Sequence, residues 1–336
     1  MASANPHGRK LIHDLLAKFP DSSSRQIARM AYKDSPKLFT DVEAARCLVR
    51  YARGAMGKEH RHKATHEPTK HTVAGMPKSI PTFKDWKPYQ MGGAGRTLII
   101  SDVHCPFHDE DALDKAIQHG KKEGADRLLI NGDLADQHAV SHWETNPEER
   151  DFGEEIELTI QMLKWLRSEF PKGEIVWKKG NHEERYEKYM QRKAPELLGV
   201  KAFKFDEIYN VSEVGITVVG ECRPVHVGKL PVLHGHEYKF AISNPVNPAR
   251  GLWTRAKESA VCAHFHQLSS HSETSLSGHE FTTYSTGCLC QLRYRYNPLS
   301  NTRHGFAIAT TEKDGAWSMD NLKVKRKGLG KMEVYH

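Results

Sequence analysis

Five short clusters of Asp, His and Asn stand directly after apolar runs. Asp102-Val103-His104 follows Leu98-Ile99-Ile100-Ser101. Gly132-Asp133-Leu134-Ala135-Asp136 follows Leu128-Leu129-Ile130-Asn131, and Gly180-Asn181-His182-Glu183 follows Ile175-Val176-Trp177. His234-Gly235-His236 comes after Pro231-Val232-Leu233, and His264-Phe265-His266 after Val261-Cys262-Ala263. Carboxylate, imidazole and amide groups are metal ligands. Asp102 and His104 lie two apart, so in extended chain both point to one face and can grip one ion. A carboxylate such as Asp133 can bridge two cations. Neutral Asn and His ligands keep such a site from becoming too negative to accept a phosphate. Two metals about 3.5–4 Å apart clamp a phosphoryl group and lower the pKa of a bound water.

The elements that must position these residues alternate. Residues 97–100, 127–130 and 174–177 read as buried strands. Residues 109–122 and 154–170 read as helices, the second with Ile156, Ile160, Leu163, Leu166 and Phe170 at helical spacing, and a third helix starts near Glu183. Alternating strands and helices predict an α/β fold with a mostly parallel sheet covered on both faces. The carboxyl ends of such strands lie on one side, where ligands bind. The five clusters are therefore expected to meet in one crevice. After Lys201 short strands dominate.

In order, the clusters match D-x-H, G-D-x-x-D, G-N-H-[DE], H and G-H-x-H. Over about residues 96–270 the sequence resembles the calcineurin-like metallophosphoesterases. The resemblance implies a four-layer sandwich of two mixed β-sheets flanked by helices. It implies that Asp102, His104 and His266 bind a first metal, that Asp133 bridges, and that Asn181, His234 and His264 bind a second. His182 then contacts the phosphate and protonates the leaving oxygen, oriented by Asp136, and hydroxide held by metal is the attacking group. Two departures stand out: Ala263 replaces the first Gly of G-H-x-H, and His236 competes with His234, which is preferred because it follows the strand directly. The residue after Asp136 is Gln137, where protein Ser/Thr phosphatases of the superfamily carry Arg. The third position after the bridging Asp is Asp136, where its break-repair nucleases carry His. Neither subtype is supported. Gly287–Leu292 and Gly305–Ile308, with the N-terminal helices, resemble a phage-associated branch of the superfamily.

Other residues carry two readings each. Arg185, three after His182, is expected either to bind substrate phosphate or to form a helix-surface ion pair. His108, His138 and His142 either line the pocket or stand outside it. Cys288 and Cys290 are soft metal ligands or, by strand alternation, core residues. The ligand set lacks an assigned thiolate, so Mn²⁺ is the first choice of metal, with Fe, Zn²⁺, Ni²⁺ or Co²⁺ as alternatives.

The chain has 336 residues, 21 of them His, and a net charge of +7. Residues 1–80 carry fifteen Lys and Arg against seven acidic residues, so the remainder is close to neutral. That segment divides into a basic helical unit, residues 1–57, and a linker, 58–94, ahead of a metallophosphoesterase domain at 95–336. Within the unit, Leu11, Leu15, Leu16 and Phe19 form one apolar face. Asp21-Ser22-Ser23-Ser24 can cap a second helix, and Thr40 with Glu43 a third. On the third, Arg46, Arg50 and Arg53 recur as a basic stripe. The unit resembles a helix-turn-helix module, although Lys33–Phe39 is longer than the usual turn. DNA or RNA contact is one reading and a packing appendage the other. His60, His62, His66 and His71 read as solvent-facing linker residues. The mean hydropathy of −0.64 and the lack of a long apolar run predict no membrane partner. Sparse cysteines and the polar start predict a cytoplasmic protein, in host cytoplasm if phage-encoded. The expected function is a dinuclear phosphodiesterase or nuclease on nucleotides or nucleic acid. The alternatives are a phosphomonoesterase on a small metabolite and a nucleic-acid-binding protein with a vestigial hydrolase fold.

Overall fold

A computed structural model describes residues 6–56, 80, 82, 86–142, 151–238, 246–293, 299–328 and 331–336. The chain divides into two compact units, Met1–Thr82 and Phe83–His336.

The first unit packs three helices, α1 (Pro6–Lys18), α2 (Ser24–Asp34) and α3 (Val42–Ala52). Ile12, Leu16, Ile27, Ala28, Ala31, Phe39, Ala45, Val49 and Ala52 form its core. Ser23 and Gln26 form a reciprocal capping box at the start of α2. The predicted Thr40–Glu43 box is not the cap of α3. Asp41, one residue later, accepts from the Ala44 N–H at 2.7 Å, and Glu43 instead pairs with Arg46. A 3₁₀ turn at Pro36–Leu38 lengthens the α2–α3 connection. The linker histidines His60, His62, His66 and His71 lie outside the described residues.

The second unit has two mixed sheets. The larger, in spatial order, holds β13 (Met332–Tyr335), β12 (Trp317–Arg326), β11 (Gly305–Thr311), β2 (Gly95–Ile100), β3 (Arg127–Asn131), β4 (Ile175–Lys178) and β5 (Thr217–Val219). Strands β2 to β5 run parallel; β11 to β13 are antiparallel to their neighbours. The smaller holds β1 (Tyr89–Met91), β6 (Val225–Val227), β7 (Leu230–Val232), β8 (Ala260–Cys262), β10 (Glu280–Ser285) and β9 (Ser269–Thr274).

Side-chain alternation explains the layering. On β2, Leu98 and Ile100 face outward to the helices α4 (Glu110–Lys122) and α5 (Phe152–Glu169), with Leu113, Ile117, Leu163 and Leu166 in the same core. Ile99, between them, faces the other sheet with Leu129 and Val176, against Val225, Val227, Val232 and Val261. Buried on both faces, the middles of these strands must be apolar, as Leu98-Ile99-Ile100, Leu128-Leu129-Ile130 and Ile175-Val176-Trp177 are. Beyond the smaller sheet, α7 (Pro248–Ala256) places Leu252 on Leu233, Ala260 and Cys262. The result is helix, sheet, sheet, helix: the four layers expected. Each buried Leu or Ile contributes about 1.5–3 kcal/mol. One strand falls in the stretch read as linker. β1 pairs with β6 in parallel, and its Met91 is buried between the sheets. Three residues are too few to show periodicity in the sequence.

Candidate metal centre

The parallel strands β2, β3 and β4 end on one side, and β7 and β8 end there too. Their exits bring the five clusters together. At the bends, Asp102, His104, Asp133, His264 and His266 have φ of 51°, 51°, 53°, 68° and 54°. Asp102-Val103-His104 is therefore not extended, contrary to the simple two-residue argument. Left-handed bends, not strand alternation, turn both side chains inward. Such conformations cost about 1–3 kcal/mol each and gather at functional sites. Two glycines make room. A Cβ on Gly180 would stand 2.2 Å from Asp133 Oδ1, and one on Gly132 (φ +85°) 2.2 Å from His234 Nδ1.

On one side, His104 Nε2 and His266 Nε2 are 3.2 Å apart, and His266 Nε2 is 3.2 Å from Asp102 Oδ1. On the other, His234 Nε2 is 3.2 Å from both Asp133 Oδ2 and Asn181 Oδ1, and His264 joins the Asp133–His234 group. Asp133 Oδ2 is also 3.9 Å from His104 Nε2 and 3.8 Å from His182 Nε2, so one carboxylate oxygen faces both groups. Its other oxygen accepts from the His182 N–H at 3.0 Å.

Hydrogen bonds fix what the imidazoles present. His104 Nδ1 donates to Asp136 Oδ1 at 2.7 Å, and His234 Nδ1 to the Asn131 carbonyl at 2.8 Å. The neutral rings then turn Nε2 lone pairs into the crevice, toward other acceptors. Asp102 Oδ1 is buried without a hydrogen-bond partner. With the rings neutral, the Nε2 lone pairs and carboxylate oxygens would surround a cation on each side of Asp133; without one, Asp102 and Asp133 hold protons on His266 and His234 instead. The charge pattern agrees. Burial opposes ionisation of Asp133, but the imidazoles of His234 and His182 hold its carboxyl well below the ordinary range. Burial likewise opposes a charge on His234, but Asp133 pulls it up to about 10. Burial and that charged neighbour push His264 down to about 4. The pocket requires positive charge, which bound cations supply in place of protons.

At the rim, His182 Nδ1 is 2.8 Å from the Asp136 carbonyl and 3.0 Å from its Oδ1. Arg185 donates to the same carbonyl at 3.0 Å and lies 2.8 Å from His182 Nε2. It also forms an ion pair with Asp136 Oδ2 at 3.7 Å, at the crevice rim and not on the outer surface of the helix. Asp136 serves both His182 and His104. His236 turns away from Asp133 to Glu184, at 3.2 Å. His138 is 3.8 Å from Asp136 Oδ2. His108 lines a separate cleft with Leu113, Met162 and Trp165. Cys288 and Cys290 are buried, and Cys290 Sγ lies 3.9 Å from His266 Nδ1.

Two carboxylates without a role in the sequence reading prove structural. Glu183, fully buried, accepts from the backbone N–H groups of Asp133, Leu134, Ala135 and Gly180 at 2.7–3.1 Å. It thereby locks the β3 and β4 exits together. Glu237 accepts from the N–H groups of His234 and Gly235 and pairs with the buried Lys178 at 2.5 Å. Glu183 was visible as the last residue of G-N-H-E. A lysine closing the apolar run Ile175-Val176-Trp177 was the signal for a buried acidic partner.

The Arg stripe of the first unit is not uniform. Arg53, past the end of α3, donates to the carbonyls of Pro20 and Ser22 and to Ser24 Oγ. Its guanidinium ties down the α1–α2 turn, so its donors are already engaged within the unit. Arg46 pairs with Glu43, and Arg50 is exposed.

A family profile described as calcineurin-like phosphoesterase matches residues 95–292. The chain belongs to that family. It is also similar to the Gene 54 protein of Mycobacterium phage D29, 25% identical over 230 residues that cover 65% of this chain and 89% of that protein. Among solved structures it is similar to a metallophosphoesterase from Sphaerobacter thermophilus, at 15% identity and a TM-score of 0.37, covering 68% of this chain and 88% of that one. Another is Vacuolar Protein Sorting 29 from Cryptosporidium parvum, at 12% identity and a TM-score of 0.39, covering 73% and 97%. Among the described residues, no helix is long and apolar enough to cross a membrane.

Proposed function

We propose that the chain is a two-metal phosphodiesterase acting on nucleotides or nucleic acid in a cytoplasmic setting. The observation that carries this reading is the set of acceptor atoms on both sides of Asp133, with His182 and Arg185 at the rim. Asp102, His104 and His266 would hold one cation, and Asn181, His234 and His264 the other, with Asp133 between. The cations supply Lewis acidity and lower the pKa of water; Mn²⁺ is the first choice. The chain's own residues do the rest. Arg185 binds a non-bridging phosphate oxygen, as its forked donors suit. Arg185 donates to His182 Nε2 at 2.8 Å in the free site, so only when its guanidinium turns to the phosphate does His182, with Nδ1 held by Asp136, take a proton on Nε2 and deliver it to the leaving oxygen. Burial opposes charge on His182, but Asp133 and Asp136 raise its pKa above the ordinary value, which keeps that proton available.

Placement of positive charge favours a polyanionic substrate over a small metabolite. β11 runs antiparallel to β2, so Gly305, at its start, lies at the crevice end of the larger sheet. Lys323 sits opposite Gly305 on β12, and the Arg303 N–H bonds to the His266 carbonyl. Burial and the charges of Lys325 and Arg303 push the Lys323 ammonium below its ordinary value. These cations therefore stand beside one another at the edge where the metal ligands emerge.

The test is hydrolysis of bis-p-nitrophenyl phosphate, p-nitrophenyl phosphate, and single- and double-stranded DNA and RNA, with each candidate metal added. Diester turnover is expected, with His182→Ala lowering kcat by about 10²–10⁴. Faster turnover of the monoester would favour the metabolite reading. Nucleic-acid binding without hydrolysis, unchanged in His182→Ala, would favour the vestigial one.

A further inference from the structure

A third group of ligand atoms lies next to the crevice and has no part in the function above. Glu184, in the first turn of α6 (Glu183–Lys193), faces His236 and Cys222. Cys222 lies between β5 and β6, and His236 follows β7, so three separate elements contribute. Glu184 Oε1 is 3.2 Å from His236 Nε2 and 3.7 Å from Cys222 Sγ, and all three atoms lie within 4.8 Å of one another.

The two separations from Glu184 Oε1 have the size of tetrahedral edges. With Zn–S near 2.3 Å and Zn–N or Zn–O near 2.0 Å, tetrahedral geometry puts S and O about 3.5 Å apart and N and O about 3.3 Å apart. Behind the group, His236 Nδ1 is buried without a hydrogen-bond partner, and Glu237 Oε2 lies 3.6 Å from it, close enough to act electrostatically. Lys188 takes Glu184 Oε2 at 2.6 Å and leaves Oε1 to face the other two groups. Cys222 is exposed, so an ion has a route in from solvent.

We infer that Glu184, Cys222 and His236 form a third cation site, selective for Zn²⁺ or another thiophilic divalent ion. One thiolate, one imidazole and one carboxylate with a free fourth position is a borderline-soft donor set. It differs in kind from the Asp, Asn and His set around Asp133. The His236 ring lies 5.3 Å from His234 and 6.4 Å from His264, which puts the ion on the crevice rim. On binding, the Cys222 S–H bond to Glu184 is replaced by a sulfur–metal bond, and the thiol proton passes to solvent.

The experiment uses full-length protein loaded with Co²⁺ or Zn²⁺, and needs no activity measurement. Wild type should show a sulfur-to-cobalt charge-transfer band in the near ultraviolet. Cys222→Ser should lose that band and bind one equivalent of Zn²⁺ fewer than wild type. Cys222 is exposed, so the variant should fold; circular dichroism checks this, and Glu184→Gln provides a second variant at the same site. Cys290→Ser should keep the band, which separates this site from the thiol near His266. No band in wild type, equal Zn²⁺ content in wild type and Cys222→Ser, or a band lost only in Cys290→Ser would each overturn the assignment. Because metal content and spectrum are read directly, a failure of phosphoester hydrolysis would leave this result standing.

Discussion

Asp136 is the side chain on which the centre's two tasks converge. It holds His104 Nδ1 at 2.7 Å and His182 Nδ1 at 3.0 Å. Burial resists its charge, yet His182 and His104 keep its carboxyl well below the ordinary range. An asparagine there fits the space but removes the charge that fixes both rings. If Asp136 served His182 alone, Asp136→Asn would lower turnover and leave metal affinity intact. Because it also orients His104, which the proposed function makes a metal ligand, affinity should fall by about 10–100-fold, the usual cost of losing a partner behind a ligating His. Metal titration by calorimetry separates the two. Asp133→Asn should act more broadly. It removes the one negative charge that both ligand groups share, so both cations should be lost on dialysis; retention of two tightly held ions would contradict the bridging assignment.

At the scale of elements, the loops after β3 depend on buried carboxylates. Glu155, on α5, accepts from the N–H groups of His138 and Ala139. Burial outweighs those bonds and raises its pKa from 4.5 to about 7. The fold thus favours the protonated acid. That contribution is complete below the unfolded value near 4.5 and is lost as pH rises through about 7. Glu155→Gln mimics the neutral form at every pH. Its stability should match wild type near about pH 5 and exceed it by up to about 3 kcal/mol near about pH 8. Urea midpoints across that range are the check, and a constant difference would exclude the titration. No such group could be read from sequence, because Glu155 follows helical spacing like any surface residue. What was legible had a strong local signature. Leu98-Ile99-Ile100 and Leu128-Leu129-Ile130 announced strands buried on both faces, and the polar clusters behind them marked the crevice. Hidden were the features set by tertiary contact: the left-handed bends at Asp102 and His104, the three-residue β1, and the pairing of Lys178 with Glu237. Asp41 displaced the predicted Thr40 cap because its carboxylate takes the Ala44 N–H, one residue beyond the Glu43 N–H that Thr40 would have taken.

Across the whole molecule, charge decides which substrates arrive. The basic residues counted in the sequence concentrate before residue 80, but one of the three arginines singled out there, Arg53, is spent on the helical unit's own carbonyls. The second unit, near neutral in total, has its own local excess at Arg303, Lys323 and Lys325. Polyanion binding by those groups releases counterions, so affinity must fall with salt in proportion to the phosphates contacted. For single-stranded DNA the slope of log K against log salt is about −0.7 per contact. Replacing all three by alanine should therefore make the slope shallower by about 2 and weaken binding, while hydrolysis of bis-p-nitrophenyl phosphate, too short to reach the strip, stays unchanged. Anisotropy of a labelled oligonucleotide from 50 to about 300 mM salt measures the first effect and chromogenic turnover the second. Equal slopes in wild type and the triple variant would move the nucleic-acid contact elsewhere. Arg50 and the exposed face of α3 are then the next surface to neutralise. If both slopes survive, the positive charge serves solubility and the small-metabolite reading takes over.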